Sequence, residues 1–363
     1  MTEVLLKELS NSDIDWMSAT GRRAEIDAGT VLVQPGKAVD ALHIVLDGTL
    51  IVTVSQGENN LLDRAFAAIE GGDSDREIAR VSSGEVVGEI PNVCVSPTAT
   101  TVKALEKTLV MSIPRQQLTT KLQQDVGFAS RFYRAIAILL ADRLQSIVSQ
   151  LGRSKLVQSQ PLRDMLFILG ELNDSDIDWM IATGSRQKIA ANTVLIHQGG
   201  PVDALYILLG GTMTVSVSSD KRNPLTRAFA ALEGGETSGR EIARLSKGEI
   251  VGETPFIDAR LPSTTVKAVE DSLVLSIKRQ QLAAKLQQDV GFASRFYRVI
   301  ATLLSNRLQE MLSRLGYGRR VYSKGQPLDE KVEYEDELDF NVLDSMALAG
   351  TRFDWMLSRL RGI

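Results

Sequence analysis

The residues able to do chemistry in this chain are few and poorly spaced for it. There are two histidines, His43 and His197, and one cysteine, Cys94. No zinc or haem spacing can be written from them, and a lone cysteine forms no intrachain disulfide and suits a reducing compartment. The two histidines read as structural. There is no P-loop, no G-x-S-x-G and no dinucleotide fingerprint. GEVVGE at 84–89 and GEIVGE at 248–253 have too few glycines to cradle a polyphosphate and read as turns between strands. Asp40 and Asp203 each sit in a turn leading into a strand, where backbone capping is the expected role.

The sequence is organised by an internal repeat. ELSNSDIDWM at 8–17 returns as ELNDSDIDWM at 171–180, a shift of 163 that maps Trp16 onto Trp179. VDAL at 39–42 recurs at 202–205, and RAFAAIEGG at 64–72 recurs as RAFAALEGG at 227–235. One inserted residue near Ser238 then makes the shift 164, and KLQQDVGFASRFYR at 121–134 returns unchanged at 285–298. The histidines do not correspond: His43 maps to Tyr206 and His197 to Gln34. This is a duplicated domain of about 140–150 residues, within the usual size for one fold unit.

Each copy opens with a short helix, Ile14 to Thr20 and Ile177 to Thr183, with Asn11 or Ser12, and Asp174 or Ser175, as N-caps. Short β-rich runs follow: TVLV (30–33), LHIVL (42–46), TLIVTVS (49–55) and TTVKAL (100–105). Asp47-Gly48, matched by Gly210-Gly211, reads as a two-residue hairpin. The expected fold is mainly β with helices: two tandem β-roll (double-stranded β-helix, jelly-roll) domains, each followed by a long C-terminal helix. Phe132, Ile136, Leu139, Leu140, Ile147 and Leu151 form the apolar stripe of the first long helix, and Phe296, Ile300, Leu303, Leu304, Met311 and Leu315 that of the second. A helix from 128 to 151 would be about 36 Å long, more than one small roll needs. Phe132, Ile136, Leu140, Ile147, Phe296, Ile300, Leu304 and Met311 are therefore expected to pair helix with helix, as a homodimer or an intrachain pseudo-dimer.

The block LIHQGGPVDALYILLGGTMTVSV at 195–217, then KGEIVGETPFIDARLPSTTVKAVE at 247–270 and a long helix, resembles the cyclic-nucleotide-binding domain of bacterial cAMP receptor proteins and kinase regulatory subunits. The resemblance covers both copies, roughly 8–152 and 171–316. It implies a pocket in which a glutamate after glycine accepts the ribose 2′-hydroxyl. An arginine further on pairs with the cyclic phosphate, aided by N–H groups at a short helix start. Laid on the second copy, Gly252-Glu253 keeps the glutamate, Pro262 takes the arginine position, and Ser263 and Thr264 stand beside it. In the first copy Gly88-Glu89 is kept, while Thr98 replaces the arginine and Ala99 is its neighbour. Pro91 and Pro255 each remove an amide donor from the short helix. Arg260, two positions early, is the remaining cation, and the first copy has Ser96 there. Losing the guanidinium costs about 1.5–3 kcal/mol, or one to two decades of affinity.

The expected domains are 1–152, a linker at 153–170, 171–316, and a segment at 317–363. That last segment is acidic between Asp329 and Asp339, then amphipathic, with Leu343, Met346, Phe353, Met356, Leu357 and Leu360 at three- and four-residue steps. It is expected to pack back on a repeat or, through Phe353, Trp355, Met356 and Leu360, to dock a protein partner. At 363 residues, 44% hydrophobic, 24% charged and a formal net charge of −4, the chain shows no basic excess. It has no apolar run long enough to span a bilayer, and MTEVLLKELS, without a basic stretch followed by an apolar core, is not expected to act as a secretory leader. The expectations are a cytoplasmic protein, no nucleic acid, no membrane insertion and no DNA-binding domain after the long helix. The function expected is a non-enzymatic interaction or scaffold protein built from two degenerate cyclic-nucleotide-binding-like domains, within a larger assembly and without cofactor. The alternative is a regulatory protein that responds to cAMP or cGMP and signals through its long helices.

Overall fold

The computed structural model describes residues 4–35, 37, 39–55, 75–89, 100–151, 169–217, 239–258, 260–314 and 340–361. Outside them lie Cys94, Thr98 and its neighbours Pro91, Ser96 and Ala99, the repeat segments 64–72 and 227–235, residues 153–168 of the linker, and the acidic stretch 329–339. The chain divides into two compact units, one of residues 1–139 with 308–340, the other of 140–307 with 341–363.

In the first copy, α1 (Val4–Glu8) and α2 (Asn11–Thr20) precede the strands β1 (Arg22–Ile26), β2 (Val31–Val33), β3 (Ala41–Asp47), β4 (Thr49–Ser55), β5 (Asp75–Ser82), β6 (Val86–Val87), β7 (Thr101–Ala104) and β8 (Thr108–Pro114). They form two antiparallel sheets, in the orders β1-β8-β3-β6 and β2-β7-β4-β5. Val45 and Val87 of one sheet meet Val33, Leu50, Val52, Val81 and Val102 of the other in a single core, as alternating valines on facing strands require. Then come α3 (Arg115–Gln124) and α4 (Val126–Leu151).

The second copy repeats this with α5 (Asp174–Thr183), β9 (Ser185–Ile189), β10 (Val194–Ile196), β11 (Ala204–Gly210), β12 (Met213–Val217), β13 (Arg240–Leu245), β14 (Ile250–Val251), the short α6 (Thr254–Ile257), β15 (Thr265–Ala268), β16 (Ser272–Lys278), α7 (Arg279–Gln288) and α8 (Val290–Arg314). Its sheets have the equivalent orders β14-β11-β16-β9 and β10-β15-β12-β13. A last helix, α9, runs from Phe340 to Arg361. The fold class read from the sequence is the observed one.

Two local expectations are corrected. Gly48 and Gly211 adopt positive φ, +88° and +89°, so each turn residue is in the left-handed conformation that Asp-Gly and Gly-Gly favour. Yet β3 pairs with β8 and β6 while β4 pairs with β7 and β5. The turn is a corner that carries the chain from one sheet to the other, not a hairpin. The helix caps also lie one or two residues earlier than the expected Asn11 or Ser12 and Asp174 or Ser175: Ser10 and Asn173 cap α2 and α5, in capping boxes closed by Asp13 and Asp176.

Those aspartates also tie the opening helix to the long one. Arg131 Nε and Nη2 donate to Asp13 at 2.7 and 3.0 Å, and Arg295 donates to Asp176 at 2.6 and 2.9 Å. Trp16 meets Phe128 edge-on at 5.4 Å, and Trp179 meets Phe292 at 5.3 Å. Burial pushes the Asp13 carboxyl up, but Arg131 and Ser10 outweigh it and hold it below the ordinary carboxylate value. Between α3 and α4, Asp125 accepts from the Phe128 N–H with one oxygen and from Lys121 Nζ with the other, both at 2.8 Å. Asp289 does the same with Phe292 and Lys285.

Candidate functional site

The retained glutamates sit where the turn after β6 or β14 closes against β3 or β11. Gly252 has φ +86°, and a Cβ there would lie 2.5 Å from the Ala204 carbonyl oxygen. Gly88 has φ +81°, and a Cβ would lie 2.6 Å from that of Ala41. Only glycine permits both the conformation and the approach, and the next residue, Glu253 or Glu89, is thereby carried inward. Both glutamates are buried.

A buried carboxylate needs a partner, and in the second copy the partner is an arginine that the sequence reading did not single out. Arg307, on α8, donates from Nη1 to Glu253 Oε1 at 2.8 Å and from Nη2 to the Ile250 carbonyl at 2.6 Å. The two side chains are 12% and 10% exposed, so the pair is shielded from solvent. The repeat keeps an arginine here, since DRLQ at 142–145 aligns with NRLQ at 306–309 and Arg143 is its counterpart, but it carries no sign of the acid opposite.

Arg260 is likewise engaged. It pairs with Asp258, two residues before it, and with Asp142, a residue of α4 within the same unit. Partial burial pulls its guanidinium below the ordinary arginine value, yet two carboxylates beside it hold it as a cation. Pro262, at the arginine position of the resemblance, is buried, and its carbonyl accepts from the Gly199 N–H at 2.9 Å. Thr265 Oγ1 takes the Gln198 N–H at 3.1 Å. Ser263 and Thr264 beside them are half-buried. The structure thus brings Gly252, Glu253, Ser263 and Thr264 onto consecutive elements of one cassette, with its acid and its cation each already paired. In the first copy Gly88 and Glu89 are placed equivalently, and Thr98 lies outside the described residues.

The remaining sequence-selected residues fall into place as follows. Phe132, Ile136, Leu140 and Ile147 of α4, and Phe296, Ile300, Leu304 and Met311 of α8, are all buried. Phe353, Met356 and Leu360 of α9 are buried in the second unit, whereas Trp355 is half-buried beneath the Arg359 guanidinium at 5.5 Å. His43 donates to or accepts from Ser112 Oγ through Nδ1 at 2.8 Å, and burial pulls its pKa below the ordinary histidine value. Among the described residues no group of three His, Cys, Asp or Glu could hold a metal ion, and no helix is long and apolar enough to cross a membrane. A groove of about 660 Å³ in the first unit is lined by Trp16, Arg22, Gln116, Thr120 and Lys121 among others. None of the cassette residues borders it, and its Lys121 is already held by Asp125 and faces the Trp16 ring.

Known proteins bear on this geometry. Uncharacterized NTE family proteins of Mycobacterium tuberculosis and Mycobacterium bovis are 24% identical to this chain over 137 residues, 38% of it and 20% of their own length. The chain thus spans about a fifth of the curated relatives it matches. Among solved structures, the regulatory domain of Toxoplasma gondii PKA with cAMP is 16% identical, covers 79% of this chain and 89% of its own, and has a TM-score of 0.28. The regulatory subunit of a cAMP-independent protein kinase A from Trypanosoma cruzi bound to guanosine is also 16% identical, with 79% and 81% covered and a TM-score of 0.27. The cyclic nucleotide-binding domain family matches residues 23–125 and 186–289, more than half of the sequence, once in each copy. With the glycine-glutamate turn, the β-roll and the following helices found twice over, the chain belongs to the cyclic nucleotide-binding domain family.

Proposed function

We propose that this protein is a non-enzymatic interaction module, in which the cassette of the second copy serves as structure rather than as a cyclic nucleotide receptor. The observation that carries this reading is the buried Arg307–Glu253 pair. A ribose hydroxyl would have to share Glu253 with the guanidinium that already holds Oε1, in a site closed to solvent where that cation offsets the charge the hydroxyl would bond to. The phosphate fares no better. Arg260, the cation two positions from the family's arginine, is already neutralised by Asp258 and Asp142. What such a domain retains is shape, a rigid frame and surfaces, which suit it to holding protein partners in an assembly.

Titration calorimetry with cAMP and with cGMP tests this on the full chain and on Glu253→Ala. No heat of binding beyond millimolar affinity is expected for the wild type. A micromolar or tighter signal, abolished in a Glu253→Ala variant that keeps its circular-dichroism spectrum, would overturn the reading in favour of a regulatory protein responding to cyclic nucleotide through its long helices.

A further inference from the structure

The second unit carries a face that the first lacks. Leu169 is 2% exposed, while its counterpart Leu6 is 62% exposed. On α5, Asp174, Asp178 and Ile181 follow at i, i+4 and i+7 and so share one side of the helix. Ile181 is buried there, and Ile177 nearby is fully buried. The equivalent residues of α2 are Asn11, Asp15 and Ser18, all exposed, with Ile14 only half-buried.

What covers this face is α9. Its buried residues Ala349, Phe353, Met356 and Leu360 recur at i, i+4, i+7 and i+11. Arg352 donates to Asp174 at 3.0 Å and to the carbonyls of Leu169 and Gly170 at 3.0 and 3.1 Å, and it also reaches the Leu172 carbonyl. Arg359 donates to Asp178 at 3.2 Å, and Lys247 lies 5.1 Å over the Phe353 ring. The first copy has Ser83 in place of Lys247 and Asn11 in place of Asp174. Buried Leu169 and Ile181, Asp174 and Lys247 thus set the second copy apart, while Asp178 has its counterpart in Asp15.

We propose that this face is a receptor for an amphipathic helix of a protein partner, with α9 as its competing intrachain occupant. The partner helix carries apolar residues at i, i+4, i+7 and i+11 and arginines at i+3 and i+10. The charge complementarity is specific: two aspartates on the side of the buried isoleucine, and the carbonyls of Leu169, Gly170 and Leu172 just before the helix, accept guanidinium groups. The rim is exposed, with Asp174 and Asp178 side chains 76% and 47% accessible, so each ion pair contributes less than about 1 kcal/mol. The apolar positions supply the hold. A tethered helix presents itself at an effective concentration on the order of millimolar, so a partner enters only by outcompeting α9. This inference stands whatever the cassettes bind.

The test uses the full chain and a fluorescent peptide of residues 340–361. Phe353→Ala with Leu360→Ala weakens the intrachain helix, and the peptide is expected to bind this variant about tenfold or more tighter than wild type. Adding Ile181→Asp is expected to abolish that gain. Arg352→Ala with Arg359→Ala, which empties no core, provides the same comparison if the first variant loses its circular-dichroism signature. Equal binding to wild type and both weakened variants, or binding that survives Ile181→Asp, overturns the proposal. Concentration-dependent wild-type dimers lost with Ile181→Asp would make a second copy's α9 the occupant and overturn the partner assignment.

Discussion

The two copies agree in their frame and disagree in what they present. In the frame, Asp13–Arg131 and Asp176–Arg295 match to 0.1 Å, as do Trp16–Phe128 and Trp179–Phe292. On the outer face, Ser18 stands where the second copy buries Ile181, and in the cassette Ser96 stands where it has Arg260. The constraint on a duplicated module therefore lies in the contacts that lock helix to helix. Where the copies differ, other residues complete the site: Asp142 and Asp258 on Arg260, α9 on α5.

The sharpest test of that division is Glu253→Ala. It strands Arg307 in a buried site and is expected to cost about 3–5 kcal/mol in chemical denaturation. Joining Glu253→Leu to Arg307→Met should restore most of the loss, because an apolar pair of similar volume carries no desolvation penalty. If the single substitution is silent, the pair is not the structural element described above. A smaller effect, about 2 kcal/mol each, is expected for Asp13→Asn and Asp176→Asn, which weaken charge-assisted bonds at equivalent places. Denaturation should find the two losses alike within about 0.5 kcal/mol. A large asymmetry would break the claim of a shared frame.

The smallest effect concerns His43, which stands where the second roll has Tyr206. Burial depresses the His43 pKa below its ordinary 6.5, so the unfolded chain takes up a proton first as pH falls. The neutral form's stability is fully present above the unfolded value and declines as pH drops through it toward the folded one. Denaturation at about pH 7.5 and about pH 5.5 should show this decline, and His43→Tyr should remove it. An unchanged pH dependence in the variant would locate the titration elsewhere.

The repeat made most of the fold legible, because strand composition and helical stripes recur at corresponding positions and support each other. The Asp47-Gly48 turn was misread for a physical reason: positive φ at Gly48 fixes the local bend, whereas whether the next strand pairs with its predecessor or crosses to a facing sheet depends on β7 and β8, far along the chain. Glu89 and Glu253 were legible through the family resemblance, which implies a glutamate after glycine at those positions. Arg307 was hidden because one arginine on a charged helix face reads as solvated until a buried acid is found opposite it. Asp142 had no signal at all, since its counterpart is Asn306.

Asp125 has a further consequence. The residue is itself in extended conformation, φ −122° and ψ 92°, and its two oxygens fasten the helices on either side. One carboxylate thus keeps two rods from fusing into a single longer one, acting as a welded elbow. Lys121 and the Phe128 amide hold its acidity well on the strong side of the ordinary range, so the weld persists into mildly acidic solution. Asp289 repeats it between α7 and α8, with the same two bonds to Lys285 and the Phe292 amide.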